Sequence, residues 1–438
     1  MRASESQRNT NTELTEIAWL SSQNPDQAFH SLMHHFNVGS LRSCFDKLDG
    51  KKALGADRVS KEEYGENLEA NLEDLIQRMK RMAYRPNPVR QVLIPKEGKP
   101  GATRPLGISN FEDKLIQKRT QQLLESIYDP IFLDCSYGFR PGLGCHDAIK
   151  DVSDHLYKEE VEAVIDVDLA NYFGTIDHKI LEDMLAMKIK DKKFMRYISR
   201  MFKAGVLADG DLKVSDEGVP QGSCSSAVCS NIFAHYVIDV WLEETVKPLM
   251  QGTIRVFRYA DDLVICCRYE KDAARVKEAL GKRLAKYKLR LNEDKTKTVL
   301  FSKEKSRQGV KQGTFDFLGF TFYLGKSQRG QYIPKVKTSS KRASSKLNKV
   351  KEWIKGIRNR KTLKEIWKTF RSKLRGHVGY YGISFNSRKV EKFLMRATRI
   401  IFKWLNRRSQ RKSFTWDKFR LFINRNPLPK AVIHHRLF

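Results

Sequence analysis

The sequence lacks several features that define common protein classes. Its seven cysteines form no pair of Cys-x-x-Cys units and none follows Cys267, which argues against a disulfide framework and against a zinc-stabilised nuclease domain near the C-terminal end. No apolar run reaches eighteen residues, and the first residues are polar, without the apolar core of a signal peptide. We therefore expect a cytoplasmic protein that does not associate with membranes.

Acidic residues are scarce in the last quarter of the chain. Residues 326–438 contain 33 Lys and Arg but only 4 Asp and Glu, whereas the first 325 residues contain 49 and 47. The formal net charge of +31 is thus a C-terminal property. A charge of this size selects a polyanion through release of counterions from phosphates, so nucleic acid is the leading partner. Its uneven placement argues against a protein that merely adheres to anionic surfaces.

The hydropathy pattern predicts an α+β protein. A length of 438 residues with 40% hydrophobic content supports two or three packed units. Residues 84–108 have the pattern of a basic β-hairpin, and residues 111–128 have a helical period. Further elements are predicted in the middle of the chain: strands at 163–169 and 256–267, helices at 179–203 and 224–245, and strand pairs within KLRLNEDKTKTVLF and FDFLGFTFYL.

The two ends of the chain have weaker patterns. Residues 1–50 read as a polar tail followed by short helices, and a capping box of Ser60 with Glu63 predicts a helix start. Beyond Lys326 the pattern becomes helical and basic, with Lys and Arg alternating with Trp, Tyr and Phe. Such helices bury an aromatic face and expose cations, which favours RNA binding through backbone and shape.

Three aspartates at strand ends are the candidate chemical centre. Asp261 and Asp262 lie between apolar arms in FRYADDLVICC, where adjacent carboxylates repel unless a cation neutralises them. Taken alone, this pair is better explained by an ordinary hairpin turn, which is common in proteins. Asp168 ends another apolar strand and supplies a third acid, although Asp166 lies on the same strand face and the pattern does not choose between them. Asp177 is interpreted as a helix cap or surface residue.

Converging carboxylates of this kind suit phosphoryl chemistry. Two Mg²⁺ ions about 3.5–4 Å apart, held by such groups, would activate a 3′-hydroxyl and bridge an incoming triphosphate. The implied reaction is attack of a hydroxyl on a nucleoside triphosphate.

Tyr259-Ala260-Asp261-Asp262 matches the YxDD box of reverse transcriptases. From about residue 50 to the end, the chain resembles the bacterial group II intron reverse transcriptase and maturase family. The resemblance rests on motifs that occur in the family's order: GAD at 55–57, IPK, RPLGI, YGFRPG, the Asp168 segment, GVPQG, YADD, LRLNEDKTK, FLGF, GHVGYYGI and FKWLNRRSQRKS. One departure is Ser226-Ala227, where the family has Ser-Pro.

The resemblance implies a right-hand polymerase, with fingers and palm built from antiparallel sheet and helices and followed by an α-helical basic thumb. The regions it implies are an N-terminal extension at 1–50, fingers and palm at 51–325, a thumb or maturase region at 326–400 and a small basic DNA-binding region at 401–438. It implies no endonuclease domain.

The resemblance also assigns roles to individual residues. Asp168 becomes the first metal ligand and Asp261 the second, with Asp262 in support and two Mg²⁺ ions as cofactors. Phe173 is placed under the nucleotide sugar, where it excludes a 2′-hydroxyl, with core packing as the alternative.

Further roles concern the nucleotide and the primer. Lys96 and Arg104 grip the triphosphate as charge-assisted donors, although a solvated side chain also explains Lys96 and two extra residues in EGKPGAT disturb the spacing to Arg104. Gln221 lies near the templating base pair, although GVPQG is also an adequate Pro/Gly turn. Phe317, Leu318 and Gly319 hold the primer end or simply form an aromatic hairpin.

The leading hypothesis is an RNA-directed DNA polymerase that copies intron RNA into cDNA and assists group II intron splicing and mobility. Its partners would be structured intron RNA, an RNA template with a DNA primer, and deoxynucleoside triphosphates; the sequence predicts no oligomeric state. Two alternatives are an RNA-binding splicing factor with secondary polymerase activity, and a related reverse transcriptase recruited to defence, repair or spacer acquisition.

Overall fold

The computed structural model describes residues 2–95, 101–208, 211–219, 222–408 and 414–437, with side chains from Thr12 onward. Sixteen α-helices lie within these residues. They are α1 Arg2–Gln23, α2 Val38–Lys47, α3 Lys61–Glu66, α4 Leu68–Lys80, α5 Phe111–Tyr128, α6 Cys145–Lys158, α7 Tyr172–Thr175, α8 His178–Lys188, α9 Lys192–Phe202, α10 Cys224–Ala234, α11 Glu270–Lys286, α12 Lys303–Arg307, α13 Ser340–Ile357, α14 Leu363–Tyr381, α15 Ser387–Leu405 and α16 Trp416–Arg425. No helix in the described ranges is long and apolar enough to span a bilayer.

Eleven strands form three sheets in the same ranges. The central sheet has the order β6-β7-β3-β8, with β3 Ala163–Asp168, β6 Ile254–Tyr259, β7 Asp262–Cys267 and β8 Lys297–Leu300. A second sheet has the order β2-β1-β4-β5, with β1 Val89–Pro95, β2 Thr103–Ile108, β4 Val206–Ala208 and β5 Asp211–Lys213. A third has the order β11-β10-β9, with β9 Phe315–Phe317, β10 Phe320–Lys326 and β11 Tyr332–Thr338.

Most predicted elements are confirmed. The hairpin at 84–108 is the antiparallel pair β1 and β2, and the helix at 111–128 is α5. The capping box opens α3, where the Ser60 hydroxyl accepts from the Glu63 backbone N–H at 3.0 Å. The Asp177 carboxylate accepts from the Ile180 backbone N–H at 2.9 Å and caps α8. The fold is α+β, as predicted.

Three predicted details are wrong. The polar tail is mostly helix α1, whose buried Ile17 and Ser21 face α5; the Ser21 hydroxyl donates to the Ile127 carbonyl at 2.5 Å. Packing against α5 therefore stabilises α1 more than the intrinsic helix propensity of its polar sequence does. Residues after Lys326 first form strand β11, because it completes the third sheet. Of the strand pair predicted in KLRLNEDKTKTVLF, one strand is present as β8 Lys297–Leu300, whereas Leu291 makes only an isolated bridge to Leu169.

Three hydrophobic cores follow the chain. The largest joins one face of the central sheet to helices α1–α5 and α8–α11, and a second joins α6 and the other sheet face to the third sheet and the end of α14. The third lies within α13–α16, where Trp367, Phe370 and Phe419 are buried together. The predicted region boundaries at 325 and 400 fall inside β10 and α15, so secondary structure continues across both.

Candidate active site

The YADD segment forms a two-residue hairpin between β6 and β7. Tyr259 pairs with Asp262, and Ala260 and Asp261 make the turn. Ala260 has φ of 59°, in the left-handed region that two-residue hairpins require at their first turn position. Asp261 therefore lies at the exposed tip, and Asp262 begins the buried strand β7.

Strand β3 brings Asp168 to the same end of the sheet. In the antiparallel pairing of β3 with β7, Asp168 lies directly opposite Asp262, whereas Asp166 lies opposite Val264. Directly opposed side chains in such a pair are close neighbours. Register thus brings Asp168, rather than Asp166, to the YADD turn, a choice that alternation along the strand left open.

Several aspartates at this end of the central sheet have raised pKa values. Burial, followed by the nearby Asp166, raises the pKa of Asp262 to about 7. Although the Asp261 side chain is exposed at the tip of the turn, partial desolvation by the surrounding segments and then the charge of Asp168 raise its pKa. Burial and then Asp316 raise the pKa of Asp166 to about 6. Negative charge at this sheet edge is therefore costly without a cation.

A cation from the chain itself lies against one of these acids. The Lys295 ammonium contacts Asp168 Oδ2 at 2.5 Å. Among the residues that the structure describes, no three acidic, histidine or cysteine side chains are grouped closely enough to hold a metal ion as they stand. The donor set nevertheless fits Mg²⁺ chemically, because carboxylate oxygens are the ligands that a hard divalent cation prefers.

A buried arginine supports the YADD turn from behind. The Arg258 guanidinium donates to both Asp239 carboxylate oxygens at 2.7 and 2.6 Å, to Ser136 Oγ at 2.7 Å and to Asn231 Oδ1 at 2.9 Å. It also donates to the Ala260 carbonyl at 3.2 Å, within the turn itself. Arg258 is 1% exposed and Asp239 is 1% exposed. The turn is thus held by an ion pair with nearly all of its donors satisfied.

The FLGF segment reaches the same carboxylates from the third sheet. Phe317 is buried and pairs with Phe320, and Leu318 and Gly319 form the turn between them with φ of 50° and 82°. The Leu318 backbone N–H donates to Asp262 Oδ2 at 3.4 Å, and the Leu318 carbonyl accepts from the Tyr380 hydroxyl at 2.8 Å. This turn therefore links Asp262 to helix α14.

Of the four residues predicted to bind the nucleotide, the structure describes two, Phe173 and Arg104. Phe173 is half-buried in α7, and its carbonyl accepts from the Val219 N–H at 2.8 Å, so Val219 lies beside it. Arg104 is exposed on β2, opposite Ile94. Lys96 and Gln221 lie outside the described residues.

Sequence reasoning missed the residues that hold the site. Arg258 interrupts an apolar strand immediately before YADD, and a charge at such a position signals a buried partner. Asp239 lies nineteen residues earlier, in the π-helical turn His235–Asp239, a type of irregularity that is frequent at functional sites. Nothing in the sequence pairs these two residues. The contact of Lys295 with Asp168, across 127 residues, is equally invisible to local patterns.

Comparison with known proteins adds an independent finding. Residues 94–322 match the family described as reverse transcriptase (RNA-dependent DNA polymerase). The chain is 28% identical to the Group II intron-encoded protein LtrA of Lactococcus lactis subsp. cremoris, over 74% of this chain and 65% of LtrA. It is 32% identical to Protein YkfC of Escherichia coli (strain K12), over 57% of this chain and 72% of YkfC.

The chain matches only part of LtrA, whereas the family match covers most of the predicted catalytic region. The chain spans just under two thirds of LtrA's length, so the activity of that whole protein is not carried over by similarity alone. The family match covers more than half of this chain, including Asp168 and the YADD turn. The resemblance drawn from the motifs is confirmed at this level, and the chain belongs to the reverse transcriptase (RNA-dependent DNA polymerase) family.

Proposed function

We propose that the protein is an RNA-directed DNA polymerase that copies intron RNA into cDNA and also assists group II intron splicing and mobility. One observation carries the polymerase proposal: the pairing of β3 with β7 brings Asp168 opposite Asp262 at the YADD turn. Three acids at one sheet edge, two of them with raised pKa, favour binding of a cation, and a cation held there would stabilise the negative charge that develops during nucleotidyl transfer. The splicing part rests on similarity to a protein named as group II intron-encoded.

The proposed metal ligands are Asp168 and Asp261, with Asp262 in support and two Mg²⁺ ions as cofactors. When bound, the ions supply activation of the primer 3′-hydroxyl and neutralisation of the triphosphate. The Arg258 network orients the carboxylates through its hydrogen bond to the YADD turn. The Lys295 ammonium must leave Asp168 Oδ2 for that oxygen to become a metal ligand. Lys295 then remains a nearby cation for phosphate.

The substrates are proposed from the residues around these acids. Arg104, exposed on β2, is proposed to bind the triphosphate together with Lys96, and Phe173 to contact the sugar. Gln221 is proposed to lie near the templating pair. The turn of Phe317, Leu318 and Gly319 is proposed to hold the primer end, because its backbone reaches Asp262 directly.

The C-terminal helices are proposed to grip nucleic acid. Helices α13–α16 bury their aromatic side chains together and present many Lys and Arg side chains outward. Trp404 lies under two guanidinium groups, those of Arg358 and Arg407, at 4.7 and 5.1 Å from the ring centre. Following the order of regions that the family resemblance implies, we assign residues 326–400 to structured intron RNA and the primer–template duplex, and residues 401–438 to DNA. The strong excess of cations over acids supports contact with phosphates in both regions.

The test is extension of a DNA primer on an RNA template with Mg²⁺ and deoxynucleotides. The double variant Asp261→Ala/Asp262→Ala should lose at least about 1000-fold in extension rate, because the carboxylates proposed to hold the metal ions are removed. Its affinity for RNA should stay within about twofold, since phosphate contacts elsewhere supply most binding. Glu278→Ala, an exposed acid on α11, is the matched control and should extend normally.

Three outcomes would contradict the proposal in different ways. A folded wild-type protein that binds RNA but never extends a primer would refute the polymerase and favour a splicing factor. Joint loss of extension and RNA affinity in the double variant would mean that the active site or the RNA-binding surface is misplaced. Failure to accelerate splicing of a group II intron RNA would refute only the maturase part.

A further inference from the structure

An exposed aromatic side chain lies at the edge of the carboxylate site. Phe139, in the YGFRPG segment, is 47% exposed. Its ring centre is 6.5 Å from that of Phe173, in an edge-to-face arrangement, and 6.5 Å from that of Tyr259, the first residue of YADD. Phe139 thus bridges the two aromatic side chains beside the metal-binding acids, yet almost half of it remains in water.

The backbone of Phe139 is strained. Its φ is 58°, in the left-handed region that a bulky residue rarely adopts and that glycine adopts freely. Burial of the side chain does not compensate, because the ring is so exposed. Strained residues of this kind persist where the surrounding structure fixes them, and they cluster at active sites and ligand-binding surfaces.

The neighbours of Phe139 fix it on both sides. A Cβ atom on Gly138 would collide with the backbone nitrogen of Ala260, so the segment packs directly on the YADD turn. The Asn231 amide donates to the Gly138 carbonyl at 2.5 Å, and Asn231 is itself bound by Arg258. On the other side, Arg140 donates to Asp129 Oδ1 at 2.6 Å. The segment is therefore rigidly attached to the YADD turn, and within it the Phe139 ring is exposed to solvent.

We infer that Phe139 is a nucleotide-contacting residue whose ring packs against the base and sugar of the incoming deoxynucleoside triphosphate, beside Phe173. This inference rests on the proposed polymerase function. An aromatic ring that is rigidly held, exposed and adjacent to Phe173 offers a flat apolar surface, and any base presents a flat face to it. The contact is sequence-tolerant, as a polymerase that accepts all four bases requires.

The test uses the left-handed backbone to separate function from folding. Phe139→Gly removes the ring and relieves the strain, so its melting temperature should equal or exceed that of the wild type. The KM for each deoxynucleotide should rise about tenfold, the size expected for the loss of one stacking contact, while the Kd for primer–template duplex changes by less than about twofold. Phe139→Tyr, which keeps the ring, should restore the wild-type KM.

The chain offers a matched control. Arg58, in the loop before α3, is exposed and has φ of 60°, so Arg58→Gly makes the same backbone change at a position with no proposed binding role. Its KM for deoxynucleotides should equal that of the wild type.

Several results would overturn the inference. An unchanged KM in folded Phe139→Gly, an equal rise in Arg58→Gly, or an effect confined to duplex affinity would each refute nucleotide contact while wild-type extension continued. Absence of extension by the wild-type protein would instead refute the proposed function on which the inference rests. The two failures are thus distinguishable.

Discussion

The carboxylate site and the C-terminal helices differ both in the sign of their charge and in how the charged groups are arranged. At the site, Asp168, Asp261 and Asp262 meet at one sheet edge, where desolvation raises the pKa of two of them. In α13–α16 the cations lie outside an aromatic core, and most are exposed. The first region depends on the position of each group, and the second depends on the sum of many groups. Single substitutions should therefore be severe in the first region and mild in the second.

The strongest test of this contrast is the buried Arg258–Asp239 ion pair. Arg258→Ala leaves the Asp239 carboxylate buried and unpaired, which should lower the free energy of unfolding by about 3–5 kcal/mol. Urea denaturation followed by circular dichroism measures the change. Arg255→Ala, an exposed arginine on the same strand β6, should cost less than about 1 kcal/mol. Equal effects of the two substitutions would show that burial of the pair contributes nothing.

A second test addresses summed charge on the C-terminal helices. Lys364, Lys368 and Arg375 are exposed on α14. Their triple substitution by Gln should weaken RNA binding about tenfold or more and reduce the slope of log affinity against log salt by about 2, whereas each single change should cost less than about threefold. Filter binding across a salt series measures both quantities.

The control for this test changes three lysines in the first 325 residues. Lys158, Lys179 and Lys282 each pair with an acid one helical turn away. Their triple substitution by Gln should leave the salt slope unchanged. A single α14 substitution as damaging as the triple would contradict the additive view and indicate one specific contact.

The smallest expected effect concerns pH. The pKa of Asp262 rises on folding from an ordinary 3.8 to about 7, so its protonated form stabilises the fold below about pH 4 and this contribution is lost as pH rises through 7. Asp262→Asn removes that titration. At pH 8 the variant should be more stable than the wild type by on the order of 1 kcal/mol, or about 2 °C in melting temperature, and the difference should close near pH 4.

Thermal melts at several pH values measure this effect. Asp417→Asn, an exposed acid on α16, is the control and should follow the wild-type curve. If the difference in melting temperature between Asp262→Asn and the wild type is the same at every pH, folding does not favour the protonated form of Asp262. Mg²⁺ should raise the wild-type melting temperature more than that of Asp262→Asn at pH 8, because charge neutralisation then favours the folded state.

Much of the site's scaffold was predictable from local pattern. Helix α5 and the strands on either side of YADD follow from hydrophobic period alone, because each element buries one continuous face. The turn at Ala260 and Asp261 follows from two apolar arms around two residues. The positions of Asp168 and Asp166 relative to that turn required the register of β3 against β7, which sequence alternation does not determine.

The unpredicted parts all depend on contacts between distant segments. Helix α1 is too polar to predict as helix, and it is held by packing on α5. Arg258 meets Asp239, Asn231 and Ser136 only because three segments converge behind the YADD turn. Phenylalanine rarely adopts a left-handed backbone, and at Phe139 this conformation is likewise set by tertiary packing.

The turn at Leu318 has a consequence for modular engineering. Leu318 donates its backbone N–H to Asp262 and its carbonyl accepts from Tyr380 of α14, so one residue joins the sheet edge to the helix. A chimera that replaced everything after Lys326 with a foreign segment would remove Tyr380 and leave that carbonyl without its donor. The exchangeable unit therefore comprises α14 together with the β9–β10 hairpin, and a graft that respects it should keep the geometry of Asp262.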